Sequence, residues 1–183
     1  MNRKFLIAAS ALSLLVVPAL ANWAESGLNV GETVTPFYPS HIAGPDKGTK
    51  NCPPCTYGNR PAVQVWFHNE DKNNAAGILT ALHTAVESNK AKEFKAFGIF
   101  VADCEMCITN TNAVVEMLKF NNVGIATVTH DDPAPKNYKI DTSEEVKNTV
   151  LVYVNKKVVA KLVNVKADKA GLAKLNEAIT KSL

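Results

Sequence analysis

Residues 62–102 read AVQVWFHNEDKNNAAGILTALHTAVESNKAKEFKAFGIFVA, and this stretch decides the fold. Ala62–His68 is short, apolar and rich in β-branched and aromatic residues, the composition of a buried strand. Asn69–Asn74 is polar and turn-like. Ile78, Leu79, Leu82, Ala85 and Val86 then recur at three- and four-residue spacing, which predicts an amphipathic helix over 74–90. Phe94–Ala102 is a second strand-like run.

The alternation continues downstream. Thr109 or Asn110 is a suitable cap for a helix carrying Val114, Val115, Met117 and Leu118. Val123–Thr129 reads as a third strand, followed by a polar connection with Pro133 and Pro135. Thr149–Val154 and Val158–Val165 flank Asn155-Lys156-Lys157 and predict a hairpin. Asp168 caps a last helix with Leu172, Leu175, Ala178 and Ile179 on one face. Strands alternating with helices predict an α/β fold with a mostly parallel sheet covered on both faces. The closing hairpin adds antiparallel strands at one side.

Upstream, residues 22–60 hold five prolines, at 36, 39, 45, 53 and 54, and five glycines. That composition excludes long helices. Short strands around Thr33–Phe37 and a loop through Gly44–Gly48 are expected instead. Before this comes a positively charged start at Arg3 and Lys4, an apolar run from Phe5 to Val17, and small residues at Ala19 and Ala21. This is the pattern of a secretion signal over 1–21, too short in its apolar part to cross a bilayer. The expected organisation is thus a signal over 1–21, a Pro/Gly-rich extension over 22–60 and a core over 61–183.

The 183-residue chain is 46% hydrophobic and 20% charged, with a net charge of +3. Removing Arg3 and Lys4 from its 20 basic residues leaves 18 against 17 acidic ones, so the remainder stands at +1. No basic stripe remains, which argues against nucleic acid as a partner. No segment after residue 21 is apolar enough to span a membrane. No phosphate loop or haem-attachment motif is present, and no cofactor is expected.

Chemistry concentrates in four cysteines, as Cys52-Pro53-Pro54-Cys55 and Cys104-Glu105-Met106-Cys107. An even number in an exported chain favours disulfides. Such pairs serve as redox couples, structural staples or metal ligands.

The element order and the stretch Val30-Gly31-Glu32-Thr33-Val34-Thr35-Pro36-Phe37 resemble the thioredoxin-like superfamily. The nearer likeness is to peroxiredoxins and to periplasmic thiol-disulfide oxidoreductases that carry Cys-Pro-Pro-Cys. The resemblance covers nearly all of 28–183. It implies a three-layer sandwich with a mixed sheet, and thiol or disulfide groups of proteins as partners. Two positions depart from the family pattern. The reactive cysteine of these families follows the first core strand, where this chain has Asn69-Glu70-Asp71. Their cis-proline precedes the penultimate strand, where this chain has Asn148. A cis bond costs about 2.5–4 kcal/mol without proline, so Asn148 is expected to be trans.

Cys52/Cys55 precedes the first core strand, and Thr56–Pro61 is a poor helix, so this pair is expected to staple a loop. Cys104/Cys107 follows the strand Phe94–Ala102 and precedes a helix, the strand–CxxC–helix order displaced by one βα unit. Helix N–H groups near Cys107 would stabilise a thiolate, while the flanking Asp103 and Glu105 oppose it. Cys104 and Cys107 are therefore the candidate redox pair, and pairing within each motif is expected. A shared four-cysteine metal site is disfavoured. Eight strand residues span about 26 Å, and a five-residue return recovers at most roughly 20 Å.

The predicted function is an exported, periplasmic or secreted thiol-disulfide redox protein. The alternatives are a binding or accessory module with two structural disulfides, or a soft-metal carrier for copper or zinc. The four histidines show no ligand spacing. His83 is expected to be solvated, His68 to end the first strand, and His130-Asp131-Asp132 to be either a divalent-ion corner or a solvated turn.

Overall fold

The computed structural model describes residues 25–183; the signal expected over 1–21 lies outside them. Six strands form one mixed sheet: β1 (Ser40–Ala43), β2 (Ala62–Phe67), β3 (Lys95–Val101), β4 (Gly124–Val128), β5 (Asn148–Val154) and β6 (Lys157–Val163). Their order across the sheet is β1-β4-β3-β2-β5-β6. β2, β3 and β4 are parallel, while β5 pairs antiparallel with β2, and β6 with β5.

The chain steps from β2 to β3 to β4 in one direction. Right-handed crossovers therefore put both connecting helices on the same face. These are α2 (Lys72–Ser88) and α3 (Glu105–Met117), joined there by α5 (Lys169–Thr180). The other face is covered by α1 (Pro53–Tyr57), α4 (Pro133–Asn137) and the segment around Leu28–Phe37. β2 is buried along its whole length. Val63, Val65 and Phe67 face the helical layer, and Ala62 and Trp66 face the opposite one. Trp66 is core, packed at a tilt against Phe37 and Tyr138.

The hairpin turn is Asn155-Lys156, both at positive φ (52° and 61°), as a two-residue turn matching strand twist demands. Asp71 caps α2 by accepting from the N–H groups of Asn73 and Asn74, and Asp168 caps α5.

Three local expectations are corrected. Thr33 makes only a single bridge to Lys157, and the strand of this region is Ser40–Ala43. α3 begins at Glu105, four residues before Thr109, because Cys104 takes the capping role that Thr109 and Asn110 were expected to fill. Pro53–Tyr57 forms one helical turn, closed at Gly58 (φ 63°), since prolines at the first helical positions have φ preset and no N–H to lose.

Candidate functional site

Three strand ends meet at one rim of the sheet. β2 runs into His68, β3 into Asp103 and Cys104, and β4 into Thr129 and His130. The pairing carries one step past β3, where the Ala102 N–H donates to the Val128 carbonyl at 2.9 Å. That step sets Asp103 beside His130.

Cys104 is the N-cap of α3, in extended conformation (φ −90°, ψ 150°). Its sulfur accepts from the Cys107 N–H at 3.1 Å, and its carbonyl accepts from the Ile108 N–H at 3.0 Å. The two sulfurs stand at disulfide distance, with Cα atoms 5.1 Å apart. Cys104 is exposed and Cys107 half-buried against the helical-face core. Met106 between them is 72% exposed. An unpaired helix N-terminus donates hydrogen bonds and carries partial positive charge. A cysteine sulfur there is placed where its thiolate is stabilised.

The pair opens onto a cavity of about 340 Å³ whose walls include Phe67, Phe100, Val114 and the carboxylates of Glu70 and Glu144. Its far side is the place where the family resemblance puts a reactive cysteine. Asn69 and Glu70 stand there instead and are tied down. Asn69 Nδ2 donates to Glu144 Oε1 at 3.0 Å. Glu70 accepts from Asn148 Nδ2 and from the Asp71 N–H at 3.0 Å. Asn148 is trans, as is every peptide bond among the described residues. Its amide also donates to the Val165 carbonyl at 3.0 Å and accepts from the Val165 N–H at 2.8 Å.

Cys52 and Cys55 also stand at disulfide distance, but before β2, at the opposite end of the parallel strands from Cys104. Cys52 caps α1 and is 5% exposed. Tyr57, on the same turn, packs edge-on against Phe97 with ring centres 5.5 Å apart. Burial raises the Tyr57 hydroxyl well above its ordinary range. Among the described residues no three His, Cys, Asp or Glu side chains converge as metal ligands.

The histidines bring what residue spacing did not reveal. His83 is not free in solvent. It stacks on Phe120 with rings 4.4 Å apart and contacts Asn122 Oδ1 at 2.7 Å. His68 and His130 come together with Nε2 atoms 3.0 Å apart. His130 also contacts both oxygens of Asp103, through Nδ1 at 2.8 Å and its backbone N–H at 3.1 Å. Those two hydrogen bonds hold the Asp103 carboxyl below its usual range. Burial, then the neighbouring His130, lowers His68 from its ordinary value. Only the strand-end position of His68 hinted at this cluster in the sequence.

No protein-family model matches the chain, and no curated protein matches it by sequence. Solved structures do. A candidate thiol:disulfide interchange protein DsbE from Chlorobium tepidum aligns with a TM-score of 0.62 at 11% identity, over 85% of this chain and 98% of that one. A candidate protein disulfide isomerase from Bacteroides thetaiotaomicron aligns at 0.61 and 11%, over 86% and 93%. Yeast Sco1 aligns at 0.57 and 13%, over 82% and 96%. At such identities the likeness fixes the fold, which is thioredoxin-like, and leaves activity to be argued from the site.

Proposed function

We infer that this divergent thioredoxin-like chain exchanges thiols and disulfides through Cys104 and Cys107, on protein partners in the periplasm or beyond. The observation that carries the reading is an exposed cysteine capping a 13-residue helix, its sulfur accepting from the N–H of the second cysteine. In the reduced form, the Cys104 thiolate attacks one sulfur of a partner disulfide and expels the other as a thiolate. Cys107, as thiolate, then attacks the Cys104 sulfur of that mixed disulfide and releases the second partner thiolate. Two electrons pass to the partner, the protein gains its own disulfide, and the departing thiolates take up the protons. Oxidation of a partner dithiol is the same sequence reversed. Cys104 attacks because it is the exposed member; Cys107 resolves from its half-buried position. Cys52 and Cys55 act as a staple.

The test is a trapping experiment. Cys107→Ala should accumulate a mixed disulfide with a model protein disulfide, and Cys104→Ala should accumulate none. Equal reduction rates for Cys104→Ala and the parent would sink the assignment. A second reading is a binding module with both pairs permanently oxidised, favoured by Asn69-Glu70-Asp71 and trans Asn148 at the family's usual reactive positions. Reduction potentials below about −300 mV for both pairs would decide for it.

A further inference from the structure

The Asp103–His130–His68 cluster lies beside Cys104 and has no part in the exchange chemistry above. Its hydrogen bonds define where protons sit. A carboxylate only accepts, so the 2.8 Å contact to Asp103 Oδ1 requires a proton on His130 Nδ1. Asn69 Nδ2 donates to Glu144, which fixes the amide's orientation, and the same nitrogen approaches His68 Nε2 at 3.4 Å. The 3.0 Å contact between the Nε2 atoms of His68 and His130 braces the His130 ring from the side opposite Asp103. His130 donates to Asp103 through Nδ1 and, through Nε2, meets His68, whose charged form burial disfavours. The rings meet at 84°, and only one proton fits between their facing nitrogens. Neutrality of His68 agrees with its burial, at 6% exposure.

This changes the electrostatics of Cys104. The sequence sets a carboxylate on the residue before it, and a nearby negative charge disfavours a thiolate. Here that carboxylate is turned onto His130, whose ring and backbone N–H groups both donate to it. The remaining charged groups nearby are occupied or one step removed. Asp131 accepts from the Thr129 hydroxyl at 2.5 Å, Asp132 caps α4, and Glu144 pairs with Lys147 at 3.0 Å. Glu105 stays in the first turn of α3, and Glu70 is held by Asn148.

We propose that His130 is a positioning residue for the Cys104/Cys107 couple: it clamps Asp103, is braced by His68, and thereby stabilises the Cys104 thiolate and the reduced state. The inference takes the Cys104/Cys107 couple as redox-active and in that respect rests on the proposed function.

The test measures Cys104 itself. In fully reduced protein, the rate of Cys104 alkylation against pH, read by mass spectrometry, gives its thiolate midpoint. Equilibration with reduced and oxidised glutathione gives the position of the couple. In His130→Gln the midpoint should rise by about one pH unit, and the equilibrium should move several-fold toward the disulfide. Asp103→Asn, at an exposed site, should lower the midpoint. The double variant should show little further effect of losing His130, because the clamp's object is gone. A merely structural role would lower the melting temperature and leave midpoint and equilibrium where they were, which overturns the proposal. Should His130→Gln fail to fold, an unchanged or raised midpoint in Asp103→Asn overturns it equally. The readouts are separable from the proposed function. Failure of Cys107→Ala to trap a partner, with a midpoint that still follows His130, removes the exchange activity alone. Trapping with an unmoved midpoint removes the clamp alone.

Discussion

Asn148 uses both amide hydrogens and its oxygen inside the fold, on Glu70 and on the Val165 backbone. It is 2% exposed, so no water replaces those bonds. Truncating it leaves the buried Val165 carbonyl and N–H without partners and strips half-buried Glu70 of one donor, and each buried orphan costs roughly 1–3 kcal/mol. Asn148→Ala should therefore lower stability by about 3 kcal/mol, read as a lower urea midpoint with an unchanged slope. His68 sets a pH dependence of known sign. Its folded value lies below its ordinary one, through burial and then His130. The unfolded chain thus accepts a proton that the folded chain refuses. Stability should fall as pH drops through about 6.5, and His68→Gln should lack that contribution. Asp103 is held low by the His130 backbone and ring. Its contribution is present above the ordinary aspartate value near 3.9 and disappears only below it, outside the His68 window. Chemical denaturation of the parent and of His68→Gln from pH 8 to 5 isolates the His68 effect from that of Asp103. At this scale the sequence told half the story: Asp103 beside Cys104 is legible as an opposing charge, but its capture by His130 is not.

The two Cys-x-x-Cys motifs cap two helices with the same local bond, a sulfur accepting from the N–H three residues on, at 3.2 Å for Cys52 and 3.1 Å for Cys104. What differs is the element each opens. α1 is a single turn ended at Gly58, while α3 runs 13 residues. The longer helix offers a sustained macrodipole to its capping sulfur; the short one holds Pro53, Pro54 and Tyr57 against the sheet. Removing the first pair as Cys52→Ser/Cys55→Ser should leave exchange through Cys104 intact. It should cost about 2 kcal/mol, the loop-entropy value for a ring closed over so few residues, measured by thermal or urea unfolding. Loss of exchange in this variant would show Cys52/Cys55 to be a relay and not a staple. α3 starts five residues earlier than a cap at Thr109 would set it, for a physical reason. Thr109 and Asn110 have oxygen side chains suited to capping, but Cys104 reaches the cap first and leaves them within the helix.

Across the whole molecule, parallel register keeps the two pairs apart. Ala62 pairs with Lys95 and Phe67 with Phe100, so the segment before β2 and the segment after β3 lie at opposite ends of the sheet. In Cys55→Ser/Cys107→Ser, peptide mapping of oxidised monomer should find no Cys52–Cys104 disulfide, since bridging needs Cα atoms within about 7 Å. Finding one would refute the register. The sequence by itself determined the elements and the local chemistry. Helical and strand periodicities are properties of neighbours three, four or two residues apart, and a Cys-x-x-Cys pair closes on itself within one turn. Tertiary structure alone decided the site's surroundings. His68 and His130 are 62 residues apart, and His130 and Asp103 are 27 apart. No pattern in the chain links them until the sheet sets the ends of β2, β3 and β4 side by side, because such contacts are made by strand register and not by spacing.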